Sequence, residues 1–449
     1  MLLPLHHVRN RAGEEGEDGT VKDMDSSVDS SIPPHPLGIK PLGNKYFAGG
    51  NDARKSLGVL QLLPDEVLMQ LLEYLDVTSL GLLSATCKFL FACCTADDIW
   101  KSIFLAHISP RQFAQNIPAA NEITRLPNLS YEEFAAHWSK KPFILTECIQ
   151  SWPVTKSWNL ERLLSQYAEV VFRAEAVDWS FATYYQYLRN NRDESPLYLF
   201  DRKFVEKMSL KVGKGEGAAY WNPDCFGPDL FELLGAERPA HRWLIIGPER
   251  SGSTFHKDPN ATSAWNAVIQ GAKYWIMFPP SASVPGVFVS RDSSEVTSPL
   301  SIAEWLLAFH AEARKLPECR EGVCRAGEIL HVPSGWWHLV VNLEDGIALT
   351  QNFVPESHLG GVLSFLRDKA GQVSGFDKSV RDPYGLFVNR LREACPGVLE
   401  QGLRQLAEKK RRWDAVVGEE DSSEAQPQRK SAGFSFGFGF GDEDEEEIP

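Results

Sequence analysis

Paired cysteines are what this sequence most plainly lacks. Its eight cysteines (Cys87, Cys93, Cys94, Cys148, Cys225, Cys319, Cys324 and Cys395) contain no Cys-x-x-Cys, and the opening residues meet Arg9 too soon for a secretory leader. They read as reduced thiols in an intracellular protein, not as a disulfide framework. A zinc site drawn from Cys319 and Cys324 with His310 and His331 fails on spacing, because no second cysteine pair follows. No apolar run approaches the roughly 20 residues that cross a bilayer. Basic charge is also in deficit, with 46 Lys and Arg against 60 Asp and Glu for a net charge of -14. Ten acidic and two basic residues between 418 and 449 account for -8 of this, so the body is mildly acidic. Nothing in that balance provides a basic surface, and a nucleic-acid substrate is unsupported.

What is present suggests several domains, as 449 residues allow. Residues 1–57 are rich in Gly, Ser, Pro and acids and read as disordered, with Pro36 to Phe47 a linker or a docked strap. Residues 58–106 carry helical spacing, and 107–130 form a linker broken at Pro110 and Pro118. Strand-like and amphipathic segments fill 131–355, and helices are expected at 357–368 and 382–416 within a C-terminal region, 356–417. The Gly/Phe and acidic tail, 418–449, reads as disordered. Lys409-Lys-Arg-Arg412 serves equally well as a nuclear import signal or as helix C-terminal charge.

At the centre stands His256-Lys257-Asp258. Alternate side chains of a strand share a face, so His256 and Asp258 are expected to point together and Lys257 away. An imidazole and a carboxylate projected into a barrel are two-thirds of a facial triad, the set that leaves open positions on Fe(II). The third ligand has to come from far along the chain. His338, closing Gly327-Glu-Ile-Leu-His-Val-Pro-Ser-Gly-Trp-Trp-His338, is the candidate.

Trp265-Asn266-Ala-Val-Ile-Gln-Gly-Ala-Lys273-Tyr-Trp-Ile-Met-Phe-Pro-Pro reads as two apolar strands joined at Gln270-Gly271. Together with the Gly-Trp-Trp-His segment it resembles the jumonji-C family of cupin-type, 2-oxoglutarate-dependent oxygenases. Within that family it is most similar to the branch of the jumonji-C arginine demethylase/lysyl hydroxylase, over about residues 131–355. The resemblance implies an α+β fold, a double-stranded β-helix (jelly-roll, cupin-like) barrel with flanking helices. It implies Fe(II) on His256, Asp258 and His338, with 2-oxoglutarate and O₂ as co-substrates. Lys273, Thr350, Asn266 and Tyr198 correspond to co-substrate contacts, whereas His331 falls on an apolar strand position and is structural. The insertion from Ser281 to Gly327 is of a kind that often lies over the barrel mouth, and the C-terminal helices of such hydroxylases can form a dimer surface.

Leu62-Leu-Pro64-Asp65-Glu66-Val67, the Leu75-Asp76 break and the closing Ile99-Trp100 resemble an F-box of three short helices. Such a small domain leaves apolar surface for a partner. Leu62, Pro64, Val67, Leu71 and Leu72 are expected to face it, with Trp100 in the core. The resemblance implies that residues 60–104 bind the Skp-type linker of a cullin-RING ubiquitin ligase. The leading expectation is therefore an oxygenase that hydroxylates or demethylates lysine or arginine side chains of a protein, such as a histone or another nuclear protein, located in the nucleus or cytoplasm. The rivals are a ubiquitin-ligase receptor whose barrel only binds, and an oxygenase for RNA or a small metabolite.

Overall fold

The computed structural model describes residues 53–290, 296–298 and 301–417, and it divides into two compact units, Met1–Ala96 and Asp97–Pro449. The N-terminal segment to residue 52, the acidic tail and the side chains of the Lys409–Arg412 cluster lie outside the described residues.

In the first unit a 3-10 segment, Ala53–Leu62, precedes helices Asp65–Glu73, Val77–Ser84 and Lys88–Cys94. Pro64 starts the first of these, with Asp65 and Glu66 in its first turn, where acids suit the helix dipole. Asp76 caps the next, its carboxylate accepting from the Ser79 amide at 2.7 Å. The run from Thr78 to Leu90 is broken at Cys87, whose extended backbone (φ -156°) and thiol cap the third helix. Leu57, Leu68, Phe89 and Leu90 form the core. Leu72 is fully buried, contrary to expectation, because it follows Leu68 by one helical turn; Leu62 (82% exposed) and Leu71 (45%) remain open, as do Pro64 and Val67.

The expected three-helix count is exceeded, since Asp97–Ala106 is a fourth helix and falls in the second unit. Ile99 and Leu105 are buried there, but Trp100 stays 38% exposed, correcting its assignment to the core. One residue along a helix turns the side chain by roughly 100°, away from the direction that buries Ile99.

The second unit is a jelly roll. Among the described residues one sheet orders nine strands as Thr124–Leu126, Phe143–Leu145, Ile329–Val332, Ser263–Gln270, Gly346–Phe353, Arg242–Gly247, Leu199–Asp201, Val171–Ala174 and Val177–Ser180. The facing sheet orders Arg320–Arg325, Ala272–Phe278, Trp337–Asn342 and Gly252–His256. The two apolar strands joined at Gly271 do not pair with each other; they lie in opposite sheets. Gly271 makes that corner at φ +82°, and a Cβ there would stand 2.8 Å from the Asp345 carbonyl oxygen.

Strand alternation sorts the side chains. Ala264, Val268, Trp275, Met277, Leu330 and Val340 meet between the sheets. Trp265, Ala267 and Leu349 turn outward onto the flanking helices, and Tyr274, Ile276 and Leu339 turn outward on the other wall. The described part of the insertion packs Val284, Val287 and Ala313 on that other wall. Its helix Ile302–Ala308 packs Ile302, Trp305 and Leu306 on that outer wall, because these three apolar residues share one helical face. Arg320–Arg325, expected within the insertion, is a strand of the barrel paired with Ala272–Phe278.

A charged cluster lies under the insertion. The Glu321 carboxylate, fully buried, accepts from Arg314 at 2.6, 2.9 and 3.1 Å, from the Tyr274 hydroxyl, and pairs with His310 at 3.3 Å. Burial opposes its ionisation, but those partners outweigh it and hold its pKa down at about 2. Arg314 also donates to the carbonyls of Phe113 and Gln115, and Asn121 donates to the Arg314 carbonyl, so the cluster ties down the connector. Cys319 borders it at 3.9 Å, whereas Cys324 faces the barrel interior and His331 stacks on Phe143 and Phe226. The four donors weighed for zinc thus lie in three separate places.

After the barrel come helices Leu359–Asp368, Pro383–Ala394 and Pro396–Val417. The expected 382–416 helix is interrupted at Cys395 because the residue before a proline is driven out of the helical region. Leu359, Val362, Leu363, Phe387 and Leu391 pack these helices against Phe231 and Val354 of the same unit. Among the described residues no helix is long and apolar enough to cross a membrane.

Candidate metal centre and co-substrate site

A β-bulge decides which way His256 points. Ser253 stands opposite Val340 and His256 opposite His338, so three steps on one strand match two on the other. In unbroken register Phe255 would face His338. With the extra residue Phe255 goes to the outer core against Trp305, ring centroids 4.8 Å apart, and His256 turns inward. The His256 and His338 rings are then 4.1 Å apart, and Trp275 stacks on His338 at 5.9 Å.

Both imidazoles are pinned alike. Nδ1 of His256 bonds the Thr254 carbonyl at 2.8 Å, and Nδ1 of His338 bonds the Trp336 carbonyl at 3.1 Å. A carbonyl only accepts, so each Nδ1 carries the proton and each Nε2 the lone pair that a metal takes. Burial pushes the pKa of His256 down to about 3, helped by His338 beside it, and that of His338 to about 4. Both rings are neutral at pH 7.

Asp258 is reached differently from the sequence expectation. The strand ends at His256, since Pro259 has no amide hydrogen to extend a ladder, and Asp258 opens a 3-10 turn, Pro259–Ala261. Its Oδ1 accepts from the Asn352 amide at 3.4 Å, and its Oδ2 is buried with no hydrogen-bond partner. Burial raises this carboxyl to about 6, His256 within electrostatic reach opposing the rise. Among the described residues no three His, Cys, Asp or Glu side chains are already gathered as a set for a metal ion. The donor chemistry nevertheless fits a divalent cation. Two neutral imidazoles touch, and an orphaned carboxylate oxygen is buried within electrostatic reach of His256, a group that is costly to leave unpaired.

The rest of the interior is polar at selected places. Lys273 lies on the strand face of Trp275, buried to 4% exposure, and burial lowers its pKa to about 8. Its ammonium donates at 2.7 Å to Oδ1 of Asn342, directly across the ladder, a neutral amide instead of a carboxylate. Asn266 stands opposite Thr350, and Asn266 Oδ1 is a second buried acceptor with no partner. The Thr350 hydroxyl donates to the Trp265 carbonyl at 2.8 Å, leaving lone pairs as what it offers elsewhere. Tyr198 is buried, and desolvation holds its phenol well above the ordinary value, so it stays protonated.

Asn342 and Asn352 were not singled out from the sequence, although the signal was there. Asn342 is four residues after His338 and Asn352 two after Thr350, so strand periodicity puts each on the face of a residue already named. His331 lies in an aromatic box, as its structural reading requires, with Nδ1 on the Lys141 carbonyl at 3.1 Å.

These buried histidines set a pH dependence. Burial lowers His256, His331 and His338 from 6.5 to about 3, 3 and 4, so between pH 6.5 and 4 the unfolded chain binds more protons than the folded one. Stability therefore falls as pH falls through that window, while Asp258, raised in the fold, acts in the opposite sense. Urea midpoints of the metal-free protein are expected to drop from pH 6.5 to 4. A His331→Phe variant should show a shallower drop; an unchanged slope would show that His331 is not one of the groups responsible.

A cupin-like domain model matches residues 130–358, half of the chain, and an F-box-like model matches 60–106. This chain is also 35% identical to the Arginine-specific demethylase JMJ22 of Arabidopsis thaliana, across 88% of each protein. The chain belongs to the cupin-like jumonji-C family. This jumonji-C protein is 35% identical to the bifunctional arginine demethylase and lysyl-hydroxylase psr-1 of Caenorhabditis elegans, over 52% of the chain and 60% of the relative. It is 29% identical to the 2-oxoglutarate and iron-dependent oxygenase JMJD4 of Danio rerio, over 56% of the chain and 64% of the relative. With those two relatives the match spans less than two-thirds of their length.

Proposed function

We propose that this protein is an Fe(II)- and 2-oxoglutarate-dependent oxygenase that hydroxylates or demethylates lysine or arginine side chains of proteins, and that its F-box-like region couples it to a cullin-RING ubiquitin ligase. The observation that carries the reading is the pair of neutral, touching imidazoles with the orphaned Asp258 oxygen, in a barrel that also buries an unneutralised lysine. A barrel used only for binding has no need of all four.

His256, Asp258 and His338 would hold the iron through Nε2, a carboxylate oxygen and Nε2. When bound, iron would activate O₂ as the oxidant, one oxygen atom going to the oxo acid, which is oxidised to succinate and CO₂, and the other to a substrate C–H that becomes C–OH. The carbonyls of Thr254 and Trp336 fix the ring tautomers, and Asn352 steers the Asp258 carboxylate. Lys273 meets the far carboxylate of the oxo acid, which supplies the negative charge its neutral partner does not. Asn266 and the Tyr198 phenol are further polar contacts within the barrel. Succinate release with iron, 2-oxoglutarate and either lysine-rich or arginine-methylated peptides tests the reading. Release that rises with one peptide class supports it and selects the substrate; no release above a heat-inactivated control counts against it.

The exposed Leu62, Val67 and Leu71 favour the ligase arm, because contiguous apolar residues on a small helical unit call for a partner. Leu71→Asp is expected to abolish capture of a Skp-type linker by the full chain while leaving its thermal midpoint within about 2 °C, since surface substitutions are close to neutral in stability. Undiminished capture would remove this face from the interface.

A further inference from the structure

Lys273 does not stand alone at its end of the barrel. Its ammonium donates to Asn342 Oδ1 at 2.7 Å, and Asn342 Nδ2 donates to Ser251 Oγ at 3.0 Å, which in turn donates to the Pro248 carbonyl at 2.7 Å. Backbone bonds lock the same two segments, from Asn342 N to Ser251 O at 2.8 Å and from Arg250 N to Asn342 O at 2.9 Å. Lys273, Asn342 and Ser251 are all buried. The orientation of the Asn342 amide is thereby fixed, because an ammonium has only donors and needs the oxygen, which leaves the nitrogen for the serine. Gly247 completes the arrangement. A Cβ at that position would lie 2.3 Å from Ser251 Oγ, 2.8 Å from Asn342 Nδ2 and 3.0 Å from Tyr198 Cβ, so this cluster exists only where residue 247 has no side chain.

We propose that the Gly247–Ser251–Asn342 relay positions Lys273, and thereby sets this protein's selectivity for an oxo acid with a second, distal carboxylate. Asn342 is a positioning residue, touching the lysine and not the reacting atoms. It holds one ammonium hydrogen through a neutral partner, so the lysine is aimed without being neutralised. An aspartate in its place would keep the acceptor but add a negative charge that competes with the incoming carboxylate. The inference rests on the reading of Lys273 as the contact for the far carboxylate, and its test separates the two.

The full-length protein is titrated by calorimetry, with manganese(II) replacing iron and without O₂, against 2-oxoglutarate and against pyruvate, which lacks the distal carboxylate. Asn342→Ala is expected to weaken 2-oxoglutarate binding about tenfold, the usual scale for removing a group that orients a ligand-binding side chain, with pyruvate affinity unchanged. Asn342→Asp should weaken 2-oxoglutarate at least as much, and Gly247→Ala should reproduce the Asn342→Ala pattern by crowding the relay. If Asn342→Ala does not fold, Ser251→Ala carries the same selective loss at smaller size. Equal weakening of both acids overturns the relay and leaves the co-substrate reading standing. A wild-type protein that prefers pyruvate, or binds neither acid, overturns the co-substrate reading and the relay with it.

Discussion

His256→Ala is expected to reduce iron- and 2-oxoglutarate-dependent succinate release to the level of a heat-inactivated control, by at least about a hundredfold. The substitution removes one of the two imidazoles that touch at 4.1 Å and leaves the Asp258 oxygen still buried and unpaired. Loss of a ligand from a three-donor site costs far more than loss of a group behind a ligand, for which 10–100-fold is usual. The fold should survive, because His256 ends its strand and its ring hydrogen bond is local, to the carbonyl two residues earlier. The check is paired: succinate release, and the thermal midpoint of the metal-free protein. Turnover retained in a folded variant would sink the metal reading. Lost turnover with an unchanged midpoint separates catalysis from stability.

The second large effect concerns stability. Glu321→Ala is expected to destabilise the barrel unit by about 3–5 kcal/mol, the cost of breaking a buried ion pair by removing one partner. Arg314 would lose its carboxylate, and Tyr274 and His310 their shared acceptor, beneath a wall that must stay covered. Glu321→Gln keeps the shape and some hydrogen bonds but not the charge, and should fall between. Urea unfolding read by tryptophan fluorescence decides; a loss under 1 kcal/mol for the alanine variant would show that the connector and insertion hold without the cluster. Arg314→Ala in the Glu321→Ala background should cost little more, because neighbours in one network are not additive.

The sequence was most legible where chemistry fixes residue type and spacing together. His256, Asp258 and His338 could be named because a strand period and the donor set of a facial triad constrain what can stand there, whereas Lys273 came from the jumonji-C resemblance. The register was harder to see. The inward turn of His256 depends on a bulge, and nothing local in Gly-Ser-Thr-Phe-His announces one, since register is a property of two strands. Asp258 was placed on a strand face although Pro259 argues for an ending there. The Glu321 cluster was invisible for a related reason: Tyr274, Glu321 and the pair His310 and Arg314, one helical turn apart, come from three elements that meet only through packing. Leu72 and Trp100 failed in the ordinary way, as short helices with apolar residues on several sides leave the buried direction open.

The extra residue between Ser253 and His256 also bears on what the loss of one codon would cost such a protein. Deleting Thr254 or Phe255 would remove the bulge and still leave an imidazole opposite His338, because the ligand would then stand two places after Ser253 in plain register. The ligand would be kept, and most of the barrel's pairings would be untouched. What the deletion would forfeit is either the residue whose carbonyl holds Nδ1 of His256 or the ring that packs on Trp305, so the spare position anchors the edge of the site.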